Sequence, residues 1–527
     1  MSAQFEASDS SEQLIGQVRG GSLLLVSRAF AVGVNLVTQV IVVRWLSPGD
    51  FGALAYVLSL TWVARNVSTL GMHRVLPRLI PRYHERHEYD RLFGAIGLQA
   101  GTIISTGIGL WLALLAGKAL GLSLSEEEPV GTLLLILALS VPLEALDYFL
   151  FEILLSAFHR PRSIALRKHV IGPTVKLGVV LLMVWLGASV RFLAIGLVVS
   201  AAIGIAIYIP LIVRMFRELG LLAHLSEGIR PPWGALAVGL PLLTTDLMLI
   251  ARHSLDAIVV DAEFGSAAVA QLRAVQPAAT LNELVAVNFA LLFMPLASRL
   301  TARGADDELD ELYWTTAAWQ TFLSLPVFLL TFSLSLMTTT ILFGEAYRAS
   351  APILMVLAIG LFVSAALGPS DLILVASGRI RYLVVGNLSV TVLNVALLLF
   401  LVPRFGALGA AIATVVAQLA QRTYEQVGLR DTPVRRFRAA NGRLYITVAA
   451  AASGLWAISH WLDPGPLISL ALVGTLVMMT IRFHRRVLSV EKTFPEATRF
   501  PGVAFIFGLT RDRGASGQKS SASEDSN

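Results

Sequence analysis

Phe192 to Val213 reads FLAIGLVVSAAIGIAIYIPLIV, 22 residues without a charge, bounded by Arg191 and Arg214. At 1.5 Å of rise per residue, a run of that length crosses the roughly 30 Å hydrocarbon core of a bilayer as one helix. Only a helix or a closed barrel satisfies its own backbone groups there. Similar apolar runs fill the chain, at 22–43, 51–70, 94–117, 130–154, 170–187, 192–213, 233–254, 269–296, 313–337, 351–375, 382–402, 407–421, 444–462 and 466–481. Turn chemistry separates them, as in Ser47-Pro48-Gly49-Asp50 and Asp463-Pro464-Gly465-Pro466. The expected fold class is all-α: a polytopic transmembrane helical bundle of about 14 helices.

Composition agrees with this pattern. The 527 residues are 55% hydrophobic and 14% charged, with a mean hydropathy of +0.72, whereas a soluble domain carries about 25% charged residues. Too little chain is left between the spans for an internal soluble catalytic domain, and no catalytic residue is assigned. The absence of cysteine excludes disulfides and thiolate metal sites. The first 20 residues lack the basic start of a cleaved leader, so the first span is expected to stay as a signal anchor.

Charge sets orientation. Segments 1–21, 71–93, 155–169, 214–232, 297–312, 376–381, 422–443 and 482–527 hold about 31 Lys/Arg residues. The alternate connections hold only Arg44, Lys118, Arg191, Arg348 and Arg404. The positive-inside rule therefore places both termini in the cytoplasm. The formal charge of +6 is read as orientation and contact with anionic membrane lipids, not nucleic acid. Support from 297–312 is thin, because Ala302 to Leu312 reads as an acidic loop. The tail after Gly514 has no apolar pattern and is expected to be disordered.

Some patterns carry little chemistry. His84-Glu85-Arg86-His87-Glu88 lacks the H-E-x-x-H spacing of a zinc helix, and no metal or cofactor is expected. Asp306-Asp307 has no nucleotide fold around it. Arg74, Arg78, Arg82 and Arg86 recur every fourth residue, yet Pro77 and Pro81 argue against a continuous helix there, and the preferred reading is a strip facing lipid headgroups.

Three segments carry a family likeness. The first runs from Gly20-Gly21-Ser22 to Val43-Arg44-Trp45-Leu46-Ser47-Pro48-Gly49-Asp50-Phe51-Gly52, and the second is Ile341-Leu342-Phe343-Gly344-Glu345-Ala346-Tyr347 with Ala351-Pro352. The third joins Ala376-Ser377-Gly378-Arg379, Asn387 and Asn394 to Val402-Pro403-Arg404-Phe405-Gly406-Ala407-Leu408-Gly409-Ala410-Ala411. In this order the chain, over residues 18 to 430, resembles the polysaccharide flippase branch of the multidrug/oligosaccharidyl-lipid/polysaccharide exporter superfamily. The small residues around Gly406 suit close helix packing in lipid, so most motif residues read as architectural.

The resemblance implies two pseudo-symmetric six-helix lobes at 22–213 and 233–428, joined by the cytoplasmic loop 214–232. It adds two helices at 429–481, with cytoplasmic segments at 1–21 and 482–527. A faint internal echo fits parallel repeats: Val42-Val43-Arg44 to Phe51-Gly52-Ala53, and Val259-Val260-Asp261 to Phe264-Gly265-Ser266. It also implies a flippase of the cytoplasmic membrane, not an enzyme, that carries lipid-linked oligosaccharide by alternating access. H⁺ or Na⁺ and polysaccharide-assembly proteins are candidate partners. The rival readings are a cation-coupled multidrug exporter on the same fold and, further off, a membrane polysaccharide polymerase or ligase.

Charges inside the spans are the candidate site. Arg28, Arg65, Lys176, Arg252 and Arg273 each cost about 2.5–3.5 kcal/mol at a helix centre, so none should face lipid. Arg28, Asn35 and Gln39 share one helical face, as do Arg273, Gln276, Thr280 and Glu283. One reading makes Arg28, Asn35, Arg65, Lys176, Arg252, Arg273 and Gln276 the lining of a cavity for a phosphate-bearing passenger, since Arg matches phosphate oxygens. The other pairs these cations with Glu144, Asp147, Glu152, Asp246, Glu283 and Asp371. Under the first, Glu144, Asp147, Asp246 and Glu283 are candidates to bind a coupling ion.

Overall fold

A computed structural model describes residues 26–121, 128–158, 166–434 and 438–488. The N-terminal segment, the Gly20-Gly21-Ser22 start of the first motif and the tail lie outside the described residues. Among the described residues, every regular element is helical. The helices are α1 Val26–Trp45, α2 Pro48–Ser68, α3 Met72–Glu85, α4 Tyr89–Ala119, α5 Glu128–Ala138 and α6 Ser140–Tyr148, which continues as a π-helical stretch to Leu154. Then follow α7 Lys168–Leu186, α8 Val190–Glu218, α9 Trp233–Phe264, α10 Ser266–Arg303, α11 Asp306–Ser333, α12 Ser335–Phe343, α13 Ala351–Ala366 and α14 Ser370–Ala376. Last come α15 and α16, at 380–405 and 407–428, α17 Ala439–Leu462 and α18 Gly465–Leu488.

Nine of the described helices are long and apolar enough to cross a membrane, or up to 11 if the bent pairs within 129–154 and 266–303 each count as one span. The 52-residue apolar stretch Ile380–Asp431 is one of these and covers two expected spans. It breaks at Gly406, whose φ of 57° and ψ of −138° interrupt the helix. Glycine is the residue that adopts this conformation without cost. With α2 and α17 added, each expected span falls mainly on helix within the described residues. The chain is a multi-pass, all-α membrane protein.

The chain forms two compact units that interleave in sequence. The first comprises 1–278, 339–353 and 388–417. Its central feature is the antiparallel pair of α2 with α9 and the start of α10. At one end Gly52 meets the Ser266 backbone, midway the Ser254 hydroxyl donates to the Ser59 carbonyl at 3.4 Å, and at the other end Gly71 meets Gly239. Small residues let backbones approach where lipid supplies no hydrophobic drive. The two halves of the internal echo thus pack on each other, at the Ser47–Gly52 and Gly265–Ser266 turns.

The described parts of the first motif, Ile341–Tyr347 of the second and Asn394–Ala411 of the third lie in this unit. Arg44 donates to the carbonyls of Ile341 and, at 2.8 Å, Leu342, which end α12 and have no intrahelical partner. Phe51 meets the Tyr347 ring edge-on at 6.3 Å, and Gly406 lies 3.9 Å, measured from an added Cβ, from Phe264. Their role is architectural.

One expectation fails at α3. The helix runs unbroken from Met72 to Glu85 with Pro77 and Pro81 inside it. Its apolar face, Met72, Val75, Leu76 and Ile80, is buried against Ala95, Ile103, Phe149 and Ala235, and that burial outweighs two missing backbone donors. Arg78, Arg82 and Arg86 line its exposed side.

The second unit comprises 279–338, 354–387 and 418–527. Phe322, Leu325 and Phe328 of α11 pack on Phe362, Leu444, Val448, Leu455 and Val473, with Phe328 and Phe362 stacked at 4.0 Å. Two connections are more helical than expected. The acidic stretch after Ala302 is the first turn of α11, where Asp306, Asp307 and Glu308 face the positive helix end. The span expected to stop at 421 continues to Gly428 and takes Arg422 with it.

Candidate functional site

In the first unit, α6 supplies two acids on one face. The Ser140 hydroxyl donates to Glu144 at 3.3 Å, and Asp147 is hydrogen-bonded to Tyr208 of α8, whose ring stacks on Phe151 at 4.7 Å. From α2, the Arg65 guanidinium lies 5.9 Å from the Trp62 ring centre and 6.0 Å from that of Tyr148, within electrostatic reach of Asp147. Aromatic faces attract a cation at that range without neutralising it. Lys176 of α7 is exposed and faces Glu144 electrostatically. Arg28 of α1 is grouped with Lys168 and His169, and Lys168 pairs with Glu152.

A second group surrounds α10. Arg273 donates to Asp256 at 2.9 Å, to Gln276 at 2.6 Å and to the His253 carbonyl at 2.9 Å, while Gln39 of α1 donates to the Arg273 carbonyl at 3.5 Å. Arg252 is half-buried beside it, and Asn35, one turn before Gln39, is exposed. Trp62 joins the two groups, since its ring meets that of His253 at 5.5 Å.

The expected cations therefore divide. Arg273 is ion-paired, with an acid that the apolar pattern did not single out. Arg28, Arg65 and Lys176 have no carboxylate within 4.0 Å among the described residues. Of the acids, Asp246 is 1% exposed and is held by Arg74, whose Nε and Nη2 both reach its Oδ1, at 2.8 and 2.7 Å, with His73 at 3.4 Å. It belongs to the contact of α3 with α9. Glu283 lies in the second unit, in a cavity of about 250 Å³ with Gln320, Asp371 and Arg422.

Sequence reading missed Asp256, just beyond an expected span end, and Arg74, in a segment read as broken by proline. It also missed Arg422, assigned to a loop, and the ring partners Trp62, Tyr148 and Tyr208. Arg252 and Asp256 are four apart and Trp62 and Arg65 three apart, spacings that place each pair on one helical face.

Residues 17–301, more than half of the chain, match the family model described as polysaccharide biosynthesis protein. The chain belongs to the polysaccharide biosynthesis protein family. Curated proteins give no match. Among solved structures, this family member is similar to "Lipid II flippase MurJ, inward closed conformation", at 14% identity and a TM-score of 0.66, over 89% of this chain and 99% of that one. It is also similar to an inward-facing multidrug resistance MATE family transporter of the MOP superfamily, at 12% identity and a TM-score of 0.58, over 83% of this chain and 99% of that one. At such identities the likeness establishes the fold, an all-α transporter fold.

Proposed function

We propose that this polysaccharide biosynthesis protein translocates a lipid-linked oligosaccharide across the cytoplasmic membrane. The observation that carries the reading is the trio Arg28, Arg65 and Lys176, cations inside apolar helices without an ion-pair partner among the described residues. An unpaired cation in a low-dielectric bundle is costly to keep. An anionic passenger repays that cost, and the phosphate or pyrophosphate joining sugar to lipid is such a group. Trp62 and Tyr148 beside Arg65 add flat faces for the sugar.

In this reading two six-helix lobes alternate access, and the lipid tail stays in the bilayer while the headgroup crosses. The α2–α9 pair must then part at one end at a time. Gly71, Gly239 and the Arg74–Asp246 contact close one end, and Gly52 and Ser266 close the other. Asp147 and Glu144 are the coupling-ion candidates left near the trio, because Asp246 is engaged elsewhere. H⁺ or Na⁺ would act through them only by binding more tightly in one state.

The test is transport of defined lipid-linked sugars by the reconstituted protein. Arg28→Gln, Arg65→Gln and Lys176→Gln should each cut transport by about tenfold or more, the loss of one charge-assisted contact, at unchanged membrane abundance. Wild-type transport by all three variants would remove the reading.

A further inference from the structure

The exposed side of α3 carries a row of arginines that the site proposed above does not use. Arg74, Arg78, Arg82 and, at the C-cap, Arg86 recur every fourth residue, so they share one face with about 6 Å of rise between neighbours. Arg74 is bound to Asp246 of α9. Arg78, Arg82 and Arg86 are exposed, and none has a carboxylate within 4.0 Å among the described residues. Glu85, the one acid of the helix, is exposed and joins no ion pair among them either. The other arginines at this end are matched, Arg91 by Glu88 at 2.9 Å and Arg230 by Asp90 at 3.8 Å. Three positive charges are left in line on a helix whose other face is fixed in the core by Met72, Leu76 and Ile80.

The direction of the row decides its partner. α3 runs antiparallel to α4: the Ser68 carbonyl, just before α3, accepts from Thr106 at 3.2 Å, and the His84 ring, near its end, meets that of Tyr89 at 6.4 Å. α4 is long and apolar enough to cross the membrane, and it is uncharged from Leu92 to Gly117. Arg86 therefore stands at the charged start of α4 and Arg78 beside its uncharged run. The row climbs from the membrane surface into the apolar layer instead of lying along the surface. It ends at Arg74, on the α3–α9 contact proposed above to part. A headgroup resting in the bilayer surface would meet only the outer end of such a row, whereas an anion that moves inward can use all of it.

We propose that Arg86, Arg82 and Arg78 form a capture row for the phosphate or diphosphate at the sugar–lipid junction of the passenger, leading it from the membrane surface to the α3–α9 contact. Each guanidinium presents a planar fork that matches phosphate oxygens. A line of like charges also speeds encounter with an anion, an effect that salt screens. The inference rests on the function proposed above and adds residues that act before crossing. They set the passenger concentration at which transport saturates, not the saturated rate.

The test is transport of a polyprenyl-diphosphate-linked N-acetylglucosamine by the reconstituted full chain, over a range of passenger and NaCl concentrations, in phosphatidylcholine vesicles with and without phosphatidylglycerol. Arg82→Gln combined with Arg86→Gln should raise KM about tenfold in both kinds of vesicle. It should leave the saturated rate and the melting temperature unchanged, and flatten the rise of KM with salt that the wild type shows. Arg82→Lys combined with Arg86→Lys should restore the salt dependence and part of the affinity. A wild-type KM in the glutamine variant, or a loss confined to the saturated rate, overturns the capture row and leaves the reading of Arg28, Arg65 and Lys176 standing. A defect seen only with phosphatidylglycerol overturns it in favour of a phospholipid headgroup. Failure of the wild type to carry any lipid-linked sugar overturns the function proposed above, and the capture row with it.

Discussion

Alanine at position 52 probes the seam that joins the two halves of the internal echo. A Cβ on Gly52 would stand 1.8 Å from the Ser266 carbonyl oxygen and 2.5 Å from its carbon, where ordinary contact begins at 3.4 Å. Either α2 or the Gly265–Ser266 turn must therefore retreat by about 1.6 Å. Both sides are backbone, so no rotamer change absorbs the clash. Overpacking of this kind costs about 1–3 kcal/mol, and parting the helices adds the packing they lose further along. Alanine's helix propensity works the other way by roughly 1 kcal/mol. Gly33, inside α1 with no atom within 4 Å of an added Cβ, isolates that opposing effect. Gly52→Ala should melt below the wild type, and Gly33→Ala at or above it. Nine tryptophans report unfolding by intrinsic fluorescence, while thiol dyes have no cysteine to label. If Gly52→Ala melts as high as Gly33→Ala, the close approach of α2 to Ser266 is wrong.

Arg74→Ala should destabilise by about 2 kcal/mol or more by leaving Asp246 charged and buried, and Asp246→Asn in the same chain should recover part of that loss in a double-mutant melting series; simple additivity would mean that the two do not interact. Arg44→Lys should lower the melting temperature about as far as Arg44→Ala, since one ammonium cannot reproduce a fork on the two carbonyls ending α12; full retention of stability by the lysine variant would refute that. Cysteines placed at Glu88 and Ala440 should be blocked by a membrane-permeant maleimide and spared by an impermeant one in intact cells, and labelling from outside would reverse the proposed topology.

Much of the candidate site was visible as residue types and little of it as partners. Arg28, Arg65, Lys176, Glu144 and Asp147 stand out in sequence because a charge inside an apolar run is rare and needs a reason. Nothing local reveals that Arg65 faces Tyr148 of α6, or that Gln320 and Arg422 of α16 line one cavity. Those neighbours are separated by long stretches of chain, and helix spacing places residues on a face without saying which helix the face meets.

The spans themselves were decided by sequence alone. In lipid each segment must satisfy its own backbone, so a run such as Phe192–Val213 is helix whatever packs beside it. The prolines of α3 show the limit of that argument: the local rule breaks the helix, and burial of Met72, Leu76 and Ile80 restores it. Ion pairing belongs to tertiary structure for the same reason. Arg273 met Asp256 rather than the acids expected for it, and Asp246 met Arg74 across 172 positions. Which charge is cancelled and which is left for a ligand depends on helices packing, and packing is a property of surfaces that no single span contains.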